Sequence, residues 1–173
     1  MLASDKVIAD FNTQIGNEMG ASMLYISIAG YFDGEALPQL AQFFYRQSEE
    51  EREHAMKFVK FVIDVEGRVT IPDIPAPVNE FESAESAVQM ALDSERAVTD
   101  QIYELVEEAR EEKNYFALRF LDWFVDEQLE EVATMTSLLQ VVRRAGPDGL
   151  LHVEDYLSRT GGGPLESPAA STE

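Results

Sequence analysis

Cysteine is absent from these 173 residues. Its absence removes disulfides, iron–sulfur clusters, Cys-rich zinc sites and thiol nucleophiles together. Histidine is scarce, with His54 and His152 the only two. Any metal must therefore be held by Asp, Glu, His or backbone oxygen. Basic residues are few as well. Thirteen Lys and Arg stand against 33 Asp and Glu, a formal net charge of −20. A field of that sign repels nucleic-acid phosphates and anionic membranes, and it attracts cations. Solubility alone also accounts for such a charge, so cation binding needs residues placed for it. Apolar runs are short. None approaches the roughly 20 residues that a membrane helix requires. The segment Met1-Leu2-Ala3-Ser4-Asp5-Lys6 carries no basic cluster followed by an apolar stretch, so it does not read as a secretory signal. A cytoplasmic location is expected. The length suits one domain, and 45% hydrophobic residues suffice for a substantial core.

Helical periodicity dominates what is present. Val7, Ile8, Phe11, Ile15, Met19, Met23 and Ile26 recur at steps of three and four, the stripe of an amphipathic helix. This predicts a first helix from about Asp5 to Tyr31. Gly34 and Pro38 break the chain, and a second helix follows to about Val65. Pro72, Pro75 and Pro77 then forbid a helix and predict an extended crossover. Ser83 opens a third helix to about Glu112. A short break at Lys113 and Asn114 leads to a fourth helix, ending near Arg144. Gly146-Pro147-Asp148-Gly149 stops it, and a short amphipathic helix spans Leu150 to about Ser158. Residues 1–159 form the expected domain. From Thr160 the chain is rich in Gly, Pro, Ser and Ala and reads as a flexible tail, 160–173. Two short-turn hairpins joined by one long crossover give an all-α four-helix bundle of one-crossover topology with a fifth, short helix.

A shift of 77 residues lays the first hairpin on the second. Glu18 falls on Glu95, and Phe43 on Phe120. Glu50-Glu51-Arg52-Glu53-His54 falls on Glu127-Gln128-Leu129-Glu130-Glu131. Glu18 to Glu51 and Glu95 to Gln128 are both 33 residues, so equivalent residues sit at equivalent heights of two antiparallel hairpins. Glu18, Glu51, Glu95 and Gln128 can then converge at one level. Glu51 and His54, like Gln128 and Glu131, are i and i+3 and share a face. Glu18 and Tyr25 are two turns apart on one face. Apolar neighbours flank them, among them Ile15, Phe58, Phe61, Leu92, Val98 and Phe124. A carboxylate so surrounded is costly to bury unpaired, and a cation offsets that cost. Any single Glu in so acidic a chain is ordinarily a solvated surface charge. A lone helical His, or Tyr25 and Trp123 at helical spacing, is ordinarily structural. The joint pattern is what carries the signal. Hard carboxylate oxygens with one imidazole suit iron, with manganese and zinc able to use similar ligands.

At these residues the chain resembles the ferritin family, specifically the haem-free bacterial ferritins. The resemblance covers about residues 5 to 158. It is carried by Asn17-Glu18-Met19, Tyr31-Phe32-Asp33, Glu50-Glu51-Arg52-Glu53-His54-Ala55, Asp93-Ser94-Glu95-Arg96 and Glu127-Gln128-Leu129-Glu130-Glu131-Val132. It implies a first iron site at Glu18, Glu51 and His54. It implies a second at Glu95 with Glu51 as the bridge, and an amide, Gln128, nearby. Tyr25 matches the tyrosine that hydrogen-bonds a ligand and can supply an electron. Glu50, Glu127 and Glu130 or Glu131 match a third, weaker iron site on the cavity side. The bacterioferritins carry a second Glu-x-x-His on the fourth helix, where this chain has Gln128-Leu129-Glu130-Glu131. They also ligate haem through a Met directly after the second-helix Glu, where Arg52 stands here, so no haem is expected. Cysteine-dependent relatives such as the rubrerythrins are excluded.

The resemblance thus implies a ferroxidase and iron store. Two Fe(II) are oxidised by O2 or hydrogen peroxide, and ferric mineral accumulates in a homo-oligomeric cage of 24 subunits, with neither nucleic acid nor membrane as partner. A second iron held beside Gln128 rather than a second His is held less tightly, which suits a substrate that moves on. Two other readings compete. A di-iron oxygenase that retains its metal would favour the missing second Glu-x-x-His. A metal-free helical interaction protein leaves the aligned acids unexplained.

Overall fold

The computed structural model describes residues 2–161. Five α-helices appear there: α1 Asp5–Gly34, α2 Pro38–Asp64, α3 Ala84–Glu111, α4 Tyr115–Ala145 and α5 Leu150–Thr160. The ends follow from local chemistry. Ser4 caps α1 by accepting from the Val7 amide. Ser83 and Ser86 form a reciprocal capping box at α3, and Asn114 accepts from the Ala117 amide at α4. Each satisfies an amide that a helix start leaves orphaned. Pro38 starts α2, where a missing N–H costs nothing. Leu37 offers α2 no side-chain cap, and a distant residue supplies it: both oxygens of Glu154, on α5, accept from the amides of Gln39 and Leu40. That contact fastens α5 across the end of the bundle. α5 extends through Thr160, slightly past the expected Ser158; the remainder of the expected tail lies outside the described residues.

The extended crossover, about residues 66–83, runs along α1. Asn12 donates to the Arg68 carbonyl and accepts from the Thr70 amide, while Ser27 donates to the Val78 carbonyl. Fifteen residues of helix from Asn12 to Ser27 advance about 22 Å, and eight extended residues from Thr70 to Val78 cover about the same. The path is close because α1 presents glycine to it. A Cβ on Gly16 would overlap the Pro72 ring, and one on Gly20 would touch Ile74. The crossover thereby brings α3 in antiparallel to α1, and α4 antiparallel to α2. The all-α, one-crossover bundle expected from the sequence is the fold observed.

The core is split in two. One apolar cluster, around Tyr25, Ile28, Phe32, Leu40, Phe44, Val88 and Leu138, also receives Val153 and Leu157 from α5. The other, around Phe11, Ile15, Phe58, Ile102, Leu121 and Phe124, closes the opposite end. Its aromatic rings interlock, Phe58 and Phe124 at 4.5 Å between centroids and Phe61 and Phe120 at 4.6 Å. The first-helix stripe does not stay inward along its whole length. Met23 and Ile26 are exposed, because Ala21, Ser22, Tyr25 and Ile28 take the inner face there. Among the described residues no helix is long and apolar enough to cross a membrane.

Candidate metal centre

Between the two apolar clusters lies a polar layer drawn from all four long helices. Glu18 is 0% exposed, Glu51 and Glu95 1%, Gln128 2%, His54 3% and Glu131 5%. Carboxylates are almost never so deeply buried without a partner. Here two of their oxygens have none: Glu18 Oε2 and Glu51 Oε1 are enclosed with no hydrogen bond. A buried ionised carboxylate left uncompensated costs roughly several kcal/mol. The layer is therefore driven either to hold protons or to take up a cation.

Two groups of donor atoms converge. Glu18, Glu51 and His54 bring one ligand atom each to within 4.8 Å of one another, and so do His54, Glu127 and Glu131. His54 stands between them. Its Nδ1 faces Glu51 Oε2 at 3.5 Å, and its Nε2 faces Glu127 Oε1 at 3.6 Å. Trp123 and Phe124 pack edge-on against the imidazole at 5.4 and 5.8 Å. Burial lowers the His54 pKa to about 4, with the nearby Lys57 adding to the effect. The ring is thus neutral at physiological pH and has a lone pair to offer a cation.

The carboxylates shift the other way. Desolvation, largest in both cases, raises Glu18 to about 7 and, together with the charges of Glu95, Glu50 and Glu127, raises Glu131 to about 9. Glu51 is raised well above the ordinary carboxylate range by burial and by the charges of Glu95 and Glu18. Glu95 is also raised by burial, but is held down by hydrogen bonds from Tyr25 and Gln128. Protons therefore occupy a layer from which a multivalent cation could displace them.

Glu18, Glu51, His54, Glu95 and Gln128, all expected at the site, share the buried level. Tyr25 donates to Glu95 Oε1 and also lies 3.4 Å from the Ala91 carbonyl. Gln128 points its amide nitrogen inward and donates to the Glu95 carbonyl at 3.1 Å, to Glu95 Oε2 at 3.3 Å and to Thr99 Oγ1 at 3.3 Å. Of the two adjacent candidates on α4, Glu131 is buried and converges on His54, while Glu130 faces solvent. Glu50 lies at the rim. Gln47 Nε2 donates both to Glu50 Oε2 at 2.9 Å and to Glu131 Oε2 at 3.0 Å. Sequence reasoning passed over Gln47 and over Gln14, which donates to Glu18. The available signal was their spacing, since each sits one turn before a site Glu on its own helix.

A one-crossover bundle with carboxylates from every long helix and one Glu-x-x-His at a shared buried level defines the class of carboxylate metal bundles. Residues 8–145 match the family model for the ferritin-like domain. The chain belongs to the ferritin family. It is 47% identical over 146 residues to Ferritin BfrB of Mycolicibacterium smegmatis, across 84% of this chain and 80% of that protein. It is 35% identical over 147 residues to a bacterial non-heme ferritin of Staphylococcus epidermidis, across 85% and 89%. An open-pore ferritin from the archaeon Archaeoglobus fulgidus superposes with a TM-score of 0.88 at 36% identity, covering 91% of this chain and 97% of that one.

Proposed function

We propose that this chain is an iron-storing ferroxidase whose substrate, Fe(II), is oxidised within the polar layer and stored as ferric mineral inside a cage of identical subunits. One observation carries the reading of the site: two fully enclosed carboxylate oxygens, Glu18 Oε2 and Glu51 Oε1, lie unpartnered beside a neutral imidazole. A proton held between the two carboxyls or a cation can satisfy them, and a cation satisfies both while also using the lone pair of His54.

Glu18, Glu51 and His54 hold the first Fe(II). Glu95 holds the second, with Glu51 bridging the pair and Gln128 nearby. Nε2–H of His54 turned toward Glu127 leaves Nδ1 as the ligand atom. Tyr25 orients Glu95 through its hydroxyl and stands close enough to supply an electron. Each pair of Fe(II) gives up two electrons. With O2 and two protons these yield hydrogen peroxide; with hydrogen peroxide and two protons they yield two waters. Anionic oxygen ligands favour the ferric product. Glu50, Glu127 and Glu131 form a third, weaker site on the cavity side, Glu130 being turned to solvent. With Arg52 exposed on α2 and no Met beside Glu51, the subunit binds no haem. The assembly is a 24-subunit shell closed with the help of α5, and it works in the cytoplasm.

The test is aerobic loading of the purified protein with excess Fe(II), followed by light scattering and iron counting. Hundreds of iron atoms per chain-equivalent in a particle far larger than 19.4 kDa are expected. About two per chain would indicate a retained cofactor, and a monomer or dimer at micromolar concentration would refute the cage.

A further inference from the structure

The two oxygens of Glu18 are treated differently. Oε1 accepts from Gln14 Nε2 at 2.9 Å, whereas Oε2 is enclosed without a partner. Gln14 precedes Glu18 by one turn of α1, the spacing that puts both on one face, and it is itself 2% exposed. The donor capacity of its amide is fully used. One N–H goes to Glu18 and the other to Gln101 Oε1 at 3.2 Å, while its own oxygen accepts from Asn17 Nδ2 at 2.9 Å. Those partners fix which end of the amide meets the carboxylate. Reversed, an oxygen would face Glu18 and the bond from Asn17 would be lost.

The second hairpin has no equivalent. Under the 77-residue shift Gln14 falls on Ala91. Glu95 is gripped from other helices instead, by Tyr25 at Oε1 and by Gln128 at Oε2. One carboxylate of the layer is thus tied at both oxygens and the other at one.

We propose that Gln14 is a positioning residue for the first metal: its amide occupies Oε1 of Glu18 and presents Oε2 alone to the cation, with Gln101 and Asn17 holding the amide in that orientation. The inference rests on the reading of Glu18 as a ligand. A carboxylate already held at one oxygen binds through the other in a single mode and has little freedom left to lose. Released, Glu18 turns both oxygens toward the cation or swings toward Glu51. Gln14 also borders an open groove of about 280 Å³ between α1 and α3, with Asp10, Glu104 and Glu108 on its walls. A purely structural role would be to finish that groove with a polar group, and binding at the metal site would then not depend on it.

Anaerobic Co(II) titration of the assembled protein, read by visible absorption, separates the two roles. The parent is expected to fill a first and then a second site. Gln14→Leu should weaken the first step by about 10-fold or more, the range typical of lost outer-shell hydrogen bonds, and leave the second step unchanged. Its first-step band should also lose intensity as Glu18 becomes bidentate and the coordination number rises. Gln101→Met should give a smaller loss of the same sign. If Gln14→Leu does not assemble, Gln14→Asn carries the test, because it keeps the amide but withdraws it by one methylene. A Gln14 variant that titrates like the parent, or that weakens both steps equally, overturns the proposal. Glu18→Ala is titrated alongside. Should it bind Co(II) like the parent, the ligand reading itself fails and this inference with it.

Discussion

The two hairpins are nearly the same object by sequence spacing, yet they furnish the centre differently. The first brings Glu18, Glu51 and His54, a complete three-donor set, with two orphaned oxygens among them. The second brings Glu95, Gln128 and Glu131 at the equivalent positions. There the amide of Gln128 donates to Glu95 instead of offering it a neighbouring charge, and a carboxylate replaces the imidazole. One half is left unsatisfied and hungry for a cation, while the other has already answered much of its own polarity. On the proposed ligand assignment, the duplicated framework would give a tighter site and a looser one. Such asymmetry suits iron that enters, is oxidised and leaves.

The comparison breaks most sharply at Glu51, the residue proposed to bridge the two metals. Glu51→Ala is expected to abolish the fast oxidation phase at two Fe(II) per chain in stopped-flow absorbance, while the bundle still assembles because the change removes a carboxyl whose burial is costly rather than a packing contact. Fast oxidation at the parent rate would show the site lies elsewhere. His54→Ala should be nearly as damaging but should retain weak metal binding through the carboxylates.

Making the second hairpin a copy of the first sharpens the contrast. Gln128→Glu combined with Glu131→His supplies the second Glu-x-x-His. The expected result is slower release of the second metal and poorer repeated turnover, with the first turnover intact. Unchanged release would mean that the looseness does not come from those two positions. On the cavity side, Glu131→Ala should spare the first turnover and alter later turnovers or iron stoichiometry, whereas Glu130→Ala should leave both near the parent values.

The metal-free protein gives a smaller, graded effect. The folded-state pKa values of Glu18 and Glu131 are raised from 4.5 to about 7 and about 9. For an acid raised in this way the folded state holds more protons than the unfolded one. The stability contribution is therefore complete below about pH 4.5 and is lost as pH climbs through 7 and then 9. A tenfold weakening of such an acid on folding corresponds to about 1.4 kcal/mol. Melting of the chelated protein should accordingly fall between pH 5 and 9, and added Zn(II) should recover more stability at the alkaline end while releasing protons. A melting temperature that rises across that range would contradict the buried-acid account. Outside the polar layer, Gly16→Ala should destabilise by about 1–3 kcal/mol in the same assay, the usual cost of overpacking, because the added methyl meets Pro72.

Sequence alone determined the helices, their order, the crossover and the shared level of Glu18, Glu51, Glu95 and Gln128. Those features are written in local terms: 3.6-residue periodicity, serine and asparagine caps, three prolines, and two 33-residue intervals. It left Glu130 and Glu131 unresolved for a plain reason. Neighbours on a helix point about 100° apart, and a small uncertainty in helix rotation exchanges inner for outer. The same uncertainty carried Met23 and Ile26 inward by periodicity, where the folded helix turns them out. Only tertiary structure decided the hydrogen bonds that finish the centre. Gln14 meets Gln101 across 87 residues and Gln47 meets Glu131 across 84, and no periodicity within one helix encodes which distant side chain will be within hydrogen-bonding reach once the hairpins pack.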